Sequence, residues 1–497
     1  MNSISVTLND RLIRVPCGTT IMEAAAQAGI AIPSLCYLKD YNQPAACRMC
    51  IVEVKGAKGP VTACDTKVAE GMKIQTESEF IRSQRKMNLE LICSNHRQDC
   101  TNCQRFPYCD LHRLCREYGI DDRIHRFSRE PEIDASAPHM IRDQSKCILC
   151  RRCISVCEKI QGVCAEGITG RGFDSHISAG ALDLPLAASD CINCGQCLAV
   201  CPTGALMVKD DMELVVRELN QRKKHVLAIV SPELGQWLGT CFRLPGKDDE
   251  TLKMSGLLHK IGFQGVFNLN AVAAKQEDLL RAELETHTFE GKLPMITADC
   301  PAWLNFCSAR YPQLEKYLSA QESRTVYAAR QVKDAYAQVN DISANDIFIV
   351  TINACVAAKT KTKAAGADCP VDVHLTLHEL YRLIERVCIS TRTAQEIWQT
   401  AKAAPFDNIG VESDNEYNDP DVFPVNASVQ EIFAGNRTLS CITVSGLNAA
   451  VPILERVSRG DPVCGLLRVK ACPGGCGNGG GRIRCYDYEA VEGDNEL

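Results

Sequence analysis

Apolar and polar residues alternate from Ser3 to Val15, with Ile4, Val6 and Leu8 answered by Leu12, Ile13 and Val15 across Asn9-Asp10, and this pattern predicts a β-hairpin. Thr20 and Glu23 have the spacing of a capping box, Ala24, Ala25 and Ala28 favour a helix, and Gly29 with Pro33 ends it. A second helix is predicted from Glu77 to Cys93, with Phe80, Met87, Leu91 and Ile92 on or near one face. Residues 110–140 carry many charges and few large apolar side chains, which reads as a surface helix and linker. Asp211–Lys224 reads as a charged helix leading into the last part of the chain. From Val226 onward the rhythm changes. Short apolar runs at Val226–Val230, Met295–Thr297, Ile347–Ile352, Cys441–Val444 and Leu466–Lys470 alternate with helical stretches, which predicts a parallel α/β sheet.

Composition adds limits. A chain of 497 residues has room for about three or four domains. A net charge of -6 argues against nucleic acid as a partner. There is no apolar signal core near the start and no apolar run long enough to cross a bilayer, so a cytoplasmic location without membrane contact is expected. The 30 cysteines change the picture most. A chain of this length has no need of a disulfide scaffold, and the bunching of its cysteines at x2 and x3 spacings suits metal better.

Two runs of the form C-x2-C-x2-C-x3-C stand between Cys147 and Cys201. They resemble the runs with which bacterial ferredoxins hold paired 4Fe-4S clusters, each run giving three thiolates to one cluster and its fourth to the other. On that pattern Cys147, Cys150, Cys153 and Cys201 hold one cluster, and Cys191, Cys194, Cys197 and Cys157 the second. A zinc site would use one C-x2-C pair and stop there. Upstream, Cys36, Cys47, Cys50 and Cys64 follow the hairpin and helix with spacings x10, x2 and x13. This resembles the plant-type 2Fe-2S ferredoxins and their β-grasp fold, with a longer first gap. Arg48 lies within the ligand loop, where it either offsets cluster charge or is simply solvated. His96, Cys100, Cys103 and Cys109 then form H-x3-C-x2-C-x5-C. Placed after a plant-type domain, that set resembles the 4Fe-4S segment at the start of the large iron-sulfur subunit of respiratory complex I and of the FeFe-hydrogenases. Cys93 and Cys115 fall outside it and read as buried thiols. Cys17, Cys164, Cys307, Cys369, Cys388, Cys441, Cys464 and Cys485 have no partner spacing and read as structural.

Three predicted strands run into Cys300, Cys355 and Cys472, with Cys476 close behind, and ligands gather beyond the carboxyl ends of strands in open α/β sheets. Four thiolates suffice for one more 4Fe-4S cluster. Thr297-Ala298-Asp299-Cys300-Pro301-Ala302-Trp303, Asn353-Ala354-Cys355, and Ala471-Cys472-Pro473-Gly474-Gly475-Cys476 with Gly479-Gly480-Gly481 resemble the three signatures of FeFe-hydrogenases. The resemblance implies a cluster on Cys300, Cys355, Cys472 and Cys476, the last of which bridges, in that family, to a diiron centre. It also exposes departures. Asp299 stands where the family has a proton-carrying cysteine, Asn353-Ala354 replaces Met-Pro, and Ala358 replaces a lysine, with Lys359 one place late. Arg468 and Lys470 replace a glutamate and a methionine, and the acidic stretch 407–424 replaces a glycine-rich segment.

The sequence is therefore expected to fold as a multidomain α+β and α/β chain. Its parts are a 2Fe-2S β-grasp domain (1–78), a His/Cys cluster domain (79–137), a 2x4Fe-4S ferredoxin domain (138–222), an FeFe-hydrogenase-like α/β domain (223–488) and an acidic tail (489–497). It is expected to hold one 2Fe-2S and four 4Fe-4S clusters, no diiron subsite and no self-contained catalytic site. The resemblance implies an electron-relaying subunit of an electron-bifurcating, transhydrogenase-type complex like those of acetogens. Its expected partners are a flavoprotein NAD(H)-binding subunit with its own iron-sulfur clusters, ferredoxin and, as a further candidate, an NADPH-binding subunit. An active FeFe-hydrogenase or H2 sensor, and an iron-sulfur subunit of a formate dehydrogenase or complex I-like assembly, are the alternatives.

Overall fold

The computed structural model describes residues 3–120, 133–180, 183–231, 234–241, 250–360, 368–388, 407, 427–434, 437–461, 463–473, 476 and 479–482. The acidic stretch apart from Asp407, the tail, Cys485 and four residues of the third hydrogenase-like signature (474, 475, 477 and 478) lie outside the described residues.

The predicted hairpin forms from Ser3–Leu8 and Arg11–Pro16, turning at Asn9 and Asp10, both of which have positive φ. Helix Ile21–Gln27 follows with its capping box intact: the Thr20 hydroxyl accepts from Glu23 N, and the Glu23 carboxylate accepts from Thr20 N. Strand Lys73–Gln75 pairs parallel with the first strand and strand Ile51–Val54 closes on its other side, the mixed pairing of a β-grasp sheet. Its core of Val6, Leu8, Ile21, Ala25, Val52 and Ile74 includes the ligand candidates Cys50 and Cys64.

Helix Glu79–Ser94 is present, but its apolar stripe was misassigned. Phe80, Met87 and Leu91 face solvent, while Ile81, Arg85, Leu89 and Cys93 face inward. The reason is Arg85, only 1% exposed, whose guanidinium reaches Ile51 O, Thr76 O and Glu77 and so satisfies its charge inside the molecule. The stretch read as surface helix and linker contains helix Asp110–Glu117, then two strands missed from sequence, Ile133–Asp134 and Met140–Asp143, which form a small sheet with Leu206–Val208.

Beyond helix Met212–Gln221 the five strands expected from sequence are found, but they form two sheets rather than one. His225–Val230 lies between Gly265–Asn268 and Ile347–Ile352, with Val373–Leu375 outermost, all parallel. Met295–Ile296, Leu466–Lys470 and Arg437–Ser445 make the second sheet, edged by an antiparallel strand, Ala427–Ala434. Each sheet has its own buried core, the first around Val226, Ala228, Val350 and Leu380, the second around Trp303, Phe306, Val444 and Leu454. Among the described residues, no helix is long and apolar enough to cross a membrane.

Candidate metal centres

The two four-cysteine runs fold alike. Leu149 and Arg151 in the first, and Asn193 and Gly195 in the second, take left-handed φ angles that curl the chain around its cysteines. The curl turns backbone N–H groups inward, with Leu149 N reaching Cys147 Sγ at 3.4 Å. Cys201, from the second run, joins the first: Cys147, Cys150, Cys153 and Cys201 line one cavity with Ile148, Ile177, Ala205, Leu206, Arg142, Gln144 and Thr203. Cys157, from the first run, joins the second, where it meets Cys191 and Cys194. The structure thus places Cys201 with the first run and Cys157 with the second.

Burial pushes these thiols up, Cys147 and Cys191 to about 11 and Cys150 and Cys157 to about 12, with neighbouring sulfurs adding to the rise at Cys147, Cys150 and Cys157. Four convergent thiols that resist ionising alone call for a strongly cationic group to hold them as thiolates. Among the described residues, no three side chains close around a single metal ion. The set of Cys147, Cys150, Cys153 and Cys201 instead lines a cavity, as polynuclear iron-sulfur ligation requires. The buried pair Arg142–Glu166, 2.6 Å apart, sits within electrostatic reach of both Cys153 and Cys197. Its carboxyl is raised to about 7 by burial, which the guanidinium only partly offsets.

In the β-grasp domain Cys36 pairs with Cys47 and Cys50 with Cys64 through sulfur hydrogen bonds. Cys47 is lowered to about 6, chiefly by the bond from Cys36, which is itself raised. Arg48 is exposed and its carbonyl accepts from Asn88 Nδ2.

The mixed set is held by its surroundings. His96 is buried, and burial lowers its pKa to about 4, leaving the neutral ring that a metal ligand needs. With Nδ1 assigned as the N–H that donates to Lys146 O at 3.1 Å, Nε2 is left for iron. Cys109 stands at the N-terminus of helix Asp110–Glu117, whose dipole favours a thiolate, but burial outweighs this and pushes the thiol up to about 12. Cys103 lies against Gly204, where a Cβ would sit 2.3 Å from its sulfur. Gly204→Ala is therefore expected to displace Cys103 and remove this cluster alone. Loss of one 4Fe-4S signal in electron paramagnetic resonance, with the others retained, checks it. Cys93 and Cys115 stay outside the set, with sulfurs 3.3 Å apart. Cys17 and Cys164 are exposed, which corrects their reading as structural thiols; Cys307 and Cys441 are buried.

The last four cysteines come from both sheets. Cys300 follows Met295–Ile296 and caps helix Pro301–Arg310, with Pro301 at the first helical position. Trp303 fixes that turn by donating Nε1–H to Thr297 O at 3.2 Å. Cys355 follows Ile347–Ile352, and Cys472 and Cys476 follow Leu466–Lys470. Cys472 senses Cys355, Cys300 and Cys476, so the four converge. It also senses Cys194 of the second run. Gly480 makes the close approach possible, since a Cβ there would lie 2.1 Å from Gly195 O, and a Cβ on Gly195 would lie 2.9 Å from Val356.

On the side of this set where the family holds diiron, the side chains are charged and engaged with one another. Asp299 is exposed, accepts from Arg324 N at 3.1 Å and lies within electrostatic reach of Arg468. Arg468 pairs with Glu277 at 2.5 Å, and Lys470 acts on Cys476. Lys359 is turned elsewhere. It is fully buried, and its ammonium bonds Asp211 at 2.8 Å, Glu379 at 2.8 Å and His374 O at 2.9 Å. A pocket with a lysine offered to a cyanide and an uncharged methionine packed beside the diiron, as the family pattern implies, is not what these residues make. They do not fit a diiron group.

A chain that joins a β-grasp cysteine set, a His/Cys set and a twin-cluster domain to this two-sheet domain is an iron-sulfur protein built on a hydrogenase-like plan. Residues 224–480 match the iron only hydrogenase large subunit, C-terminal domain, and the chain belongs to that family. Residues 1–79 match a 2Fe-2S iron-sulfur cluster binding domain, 85–123 the NADH-ubiquinone oxidoreductase-G iron-sulfur binding region, and 146–205 a 4Fe-4S dicluster domain. The chain is 29% identical to the NADP-reducing hydrogenase subunit HndD of Solidesulfovibrio fructosivorans, over 99% of this chain and 90% of that one. It is 26% identical to iron hydrogenase 1 of Clostridium pasteurianum, over 95% and 88%. It is 38% identical to the NADPH-Fe(3+) oxidoreductase subunit alpha of Geobacter sulfurreducens, over 41% of this chain and 24% of that one.

Proposed function

We propose that this chain is the electron-transfer iron-sulfur subunit of a multisubunit, electron-bifurcating complex, relaying electrons between ferredoxin and a flavoprotein NAD(P)(H) subunit without turning over hydrogen. The observation that carries this reading is the contrast at the last cysteine set: four convergent thiols beside a second run, with Asp299, Ala358, Arg468 and Lys470 at the positions where the family pattern has the side chains that serve a diiron group. In this reading Cys36, Cys47, Cys50 and Cys64 hold a 2Fe-2S cluster. His96, Cys100, Cys103 and Cys109, the two exchanged sets, and Cys300, Cys355, Cys472 and Cys476 hold four 4Fe-4S clusters. When bound, such clusters supply one-electron transfer at potentials set by ligand type, charge and exposure. The chain's own residues keep them dry, fix their ligands and hold neighbouring sets together. The relatives named as NADP-reducing hydrogenase and NADPH-Fe(3+) oxidoreductase subunits support the choice of a nicotinamide-linked flavoprotein as partner.

Affinity purification of the tagged chain from its host tests the assembly. A flavin-containing, NAD(H)-binding subunit is expected to copurify, and the complex is expected to couple NAD(P)H oxidation to ferredoxin reduction. Recovery of the chain alone, or with a formate dehydrogenase, would refute the proposal. Cys300→Ser is expected to delete one 4Fe-4S signal and leave the other clusters intact; an unchanged paramagnetic resonance spectrum would show that the last set is misassigned.

A further inference from the structure

The long first gap of the 2Fe-2S set, from Cys36 to Cys47, contains a buried asparagine that the ligand pattern does not use. Asn42 is 4% exposed. Its Nδ2 donates to Cys36 O at 2.7 Å and to Cys150 O at 3.0 Å, while its Oδ1 accepts the Ser155 hydroxyl at 2.6 Å. One side-chain amide thus joins the backbone of a 2Fe-2S ligand candidate to that of a 4Fe-4S ligand candidate 114 residues later. The orientation is fixed by its partners, since a flipped amide would turn its oxygen onto two carbonyls and its N–H groups away from them.

The rest of the gap supports the same contact. Leu38 and Asn42 exchange backbone hydrogen bonds at 2.9 Å in both directions, closing Leu38–Asn42 into a compact loop. Leu38 and Tyr41 pack on Val156, Ile160 and Val200, and Lys159 Nζ bonds Tyr41 O at 2.5 Å. Ser155, Val156 and Lys159 all belong to helix Arg152–Lys159, which also carries Cys153 and Cys157. Cys36, Cys47 and Cys150 share one apolar cluster with Met49 and Leu89.

We propose that Asn42 is a positioning residue that clamps the 2Fe-2S site onto the Cys147–Cys150–Cys153–Cys201 site and makes the Cys36–Asn42 loop the crossing point for electrons between the two domains. The proposal rests on the ligand sets given above. The step it serves is the movement of a single electron with no bond made or broken, so distance and continuity of bonded contact govern it. Asn42 shortens the route to two hydrogen bonds between main-chain carbonyls.

Asn42→Asp tests this with almost no change in shape, because a carboxylate would face the Cys36 and Cys150 carbonyls with oxygen. Ser155→Ala provides a milder second variant, removing only the hydroxyl that orients the amide. In the full chain, the loss of two buried hydrogen bonds is expected to speed amide exchange across Leu38–Asn42 by about tenfold or more in Asn42→Asp, and less in Ser155→Ala. Iron content and the individual cluster signals should stay unchanged, while the magnetic coupling between the reduced 2Fe-2S and 4Fe-4S signals weakens. Unchanged exchange and unchanged coupling in Asn42→Asp would overturn the proposal. Absence of a 2Fe-2S signal from the wild-type chain would instead overturn the ligand assignment, and the exchange measurement, which needs no cluster signal, would still decide the docking role.

Discussion

Co-expression with the proteins that mature FeFe-hydrogenases is expected to yield a chain with no carbonyl or cyanide infrared bands and with H2 evolution no higher than background. Each family function on the diiron side has lost its side chain here, and the replacements are tied to one another. Asp299 is exposed, accepts from Arg324 N and lies within electrostatic reach of Arg468, so a carboxyl facing cations stands where a thiol would carry protons. Ala358 offers no cation to a cyanide, and Lys359 cannot substitute, because freeing it would strand the buried carboxylate of Glu379. Lys470 places positive charge beside Cys476 where the family pattern has an uncharged methionine, and Arg468, in the place of a glutamate, is paired with Glu277. Restoring a single position should therefore restore nothing: Asp299→Cys is expected to remain as inactive as the parent. Bands from metal-bound carbonyl in the matured parent chain would show that the network opens to admit the group, and the transfer-only reading would fall.

Much of this site was legible because cysteine ligation is written locally. The x2 and x3 spacings around Cys147–Cys157 and Cys191–Cys201 go with the curl of the backbone, and the resemblance to bacterial ferredoxins led to the expectation that Cys157 and Cys201 stand with the opposite runs, where the structure places them. The same holds for Cys300, where a strand, a cysteine and a proline at the first helical position fix the turn without distant help. What could not be read depends on partners far away in sequence. The inward face of helix Glu79–Ser94 is marked by Arg85, a residue that periodicity assigns to solvent, and its acceptors Ile51 O and Thr76 O lie on the β-grasp sheet. Strand segments were found correctly, but apolar runs carry no record of which sheet they join, so two sheets were taken for one. Asn42 gave no signal at all. A lone asparagine in a loop reads as a turn residue, and only the docked helix Arg152–Lys159 reveals its second carbonyl.

Lys359→Met should be the most destabilising single change in the C-terminal domain outside the cysteines. Breaking a fully buried ion pair by removing one partner costs about 3–5 kcal/mol, a fall of roughly 10 °C in the unfolding midpoint of a domain this size. The ammonium here serves two carboxylates and a carbonyl, and Glu379 Oε1 also accepts from Asp211 N, so the whole junction loses its charge balance. The effect should depend on pH in a definite direction. Burial already raises the Glu379 carboxyl above its ordinary value, and Lys359 is the largest influence holding it down. Without the lysine its folded pKa climbs further, the folded variant binds more protons than the unfolded chain, and stability falls as pH rises. The deficit relative to wild type should accordingly be larger in mildly alkaline buffer and shrink on acidification, as the carboxyl takes up a proton and no charge is left stranded. Glu379→Met added to Lys359→Met should recover part of the loss, since paired apolar replacement of a buried ion pair is often close to neutral. A deficit that stayed constant with pH, or a double variant no better than the single, would mean that Lys359 acts by packing alone. Asp211 leads directly into helix Met212–Gln221, the exit from the twin-cluster domain, and Lys359 lies four residues after Cys355. The same variant should therefore broaden the signal of the last cluster while leaving that of the 2Fe-2S set as it was, because the junction that fails is the one holding the final cysteine set against the second run.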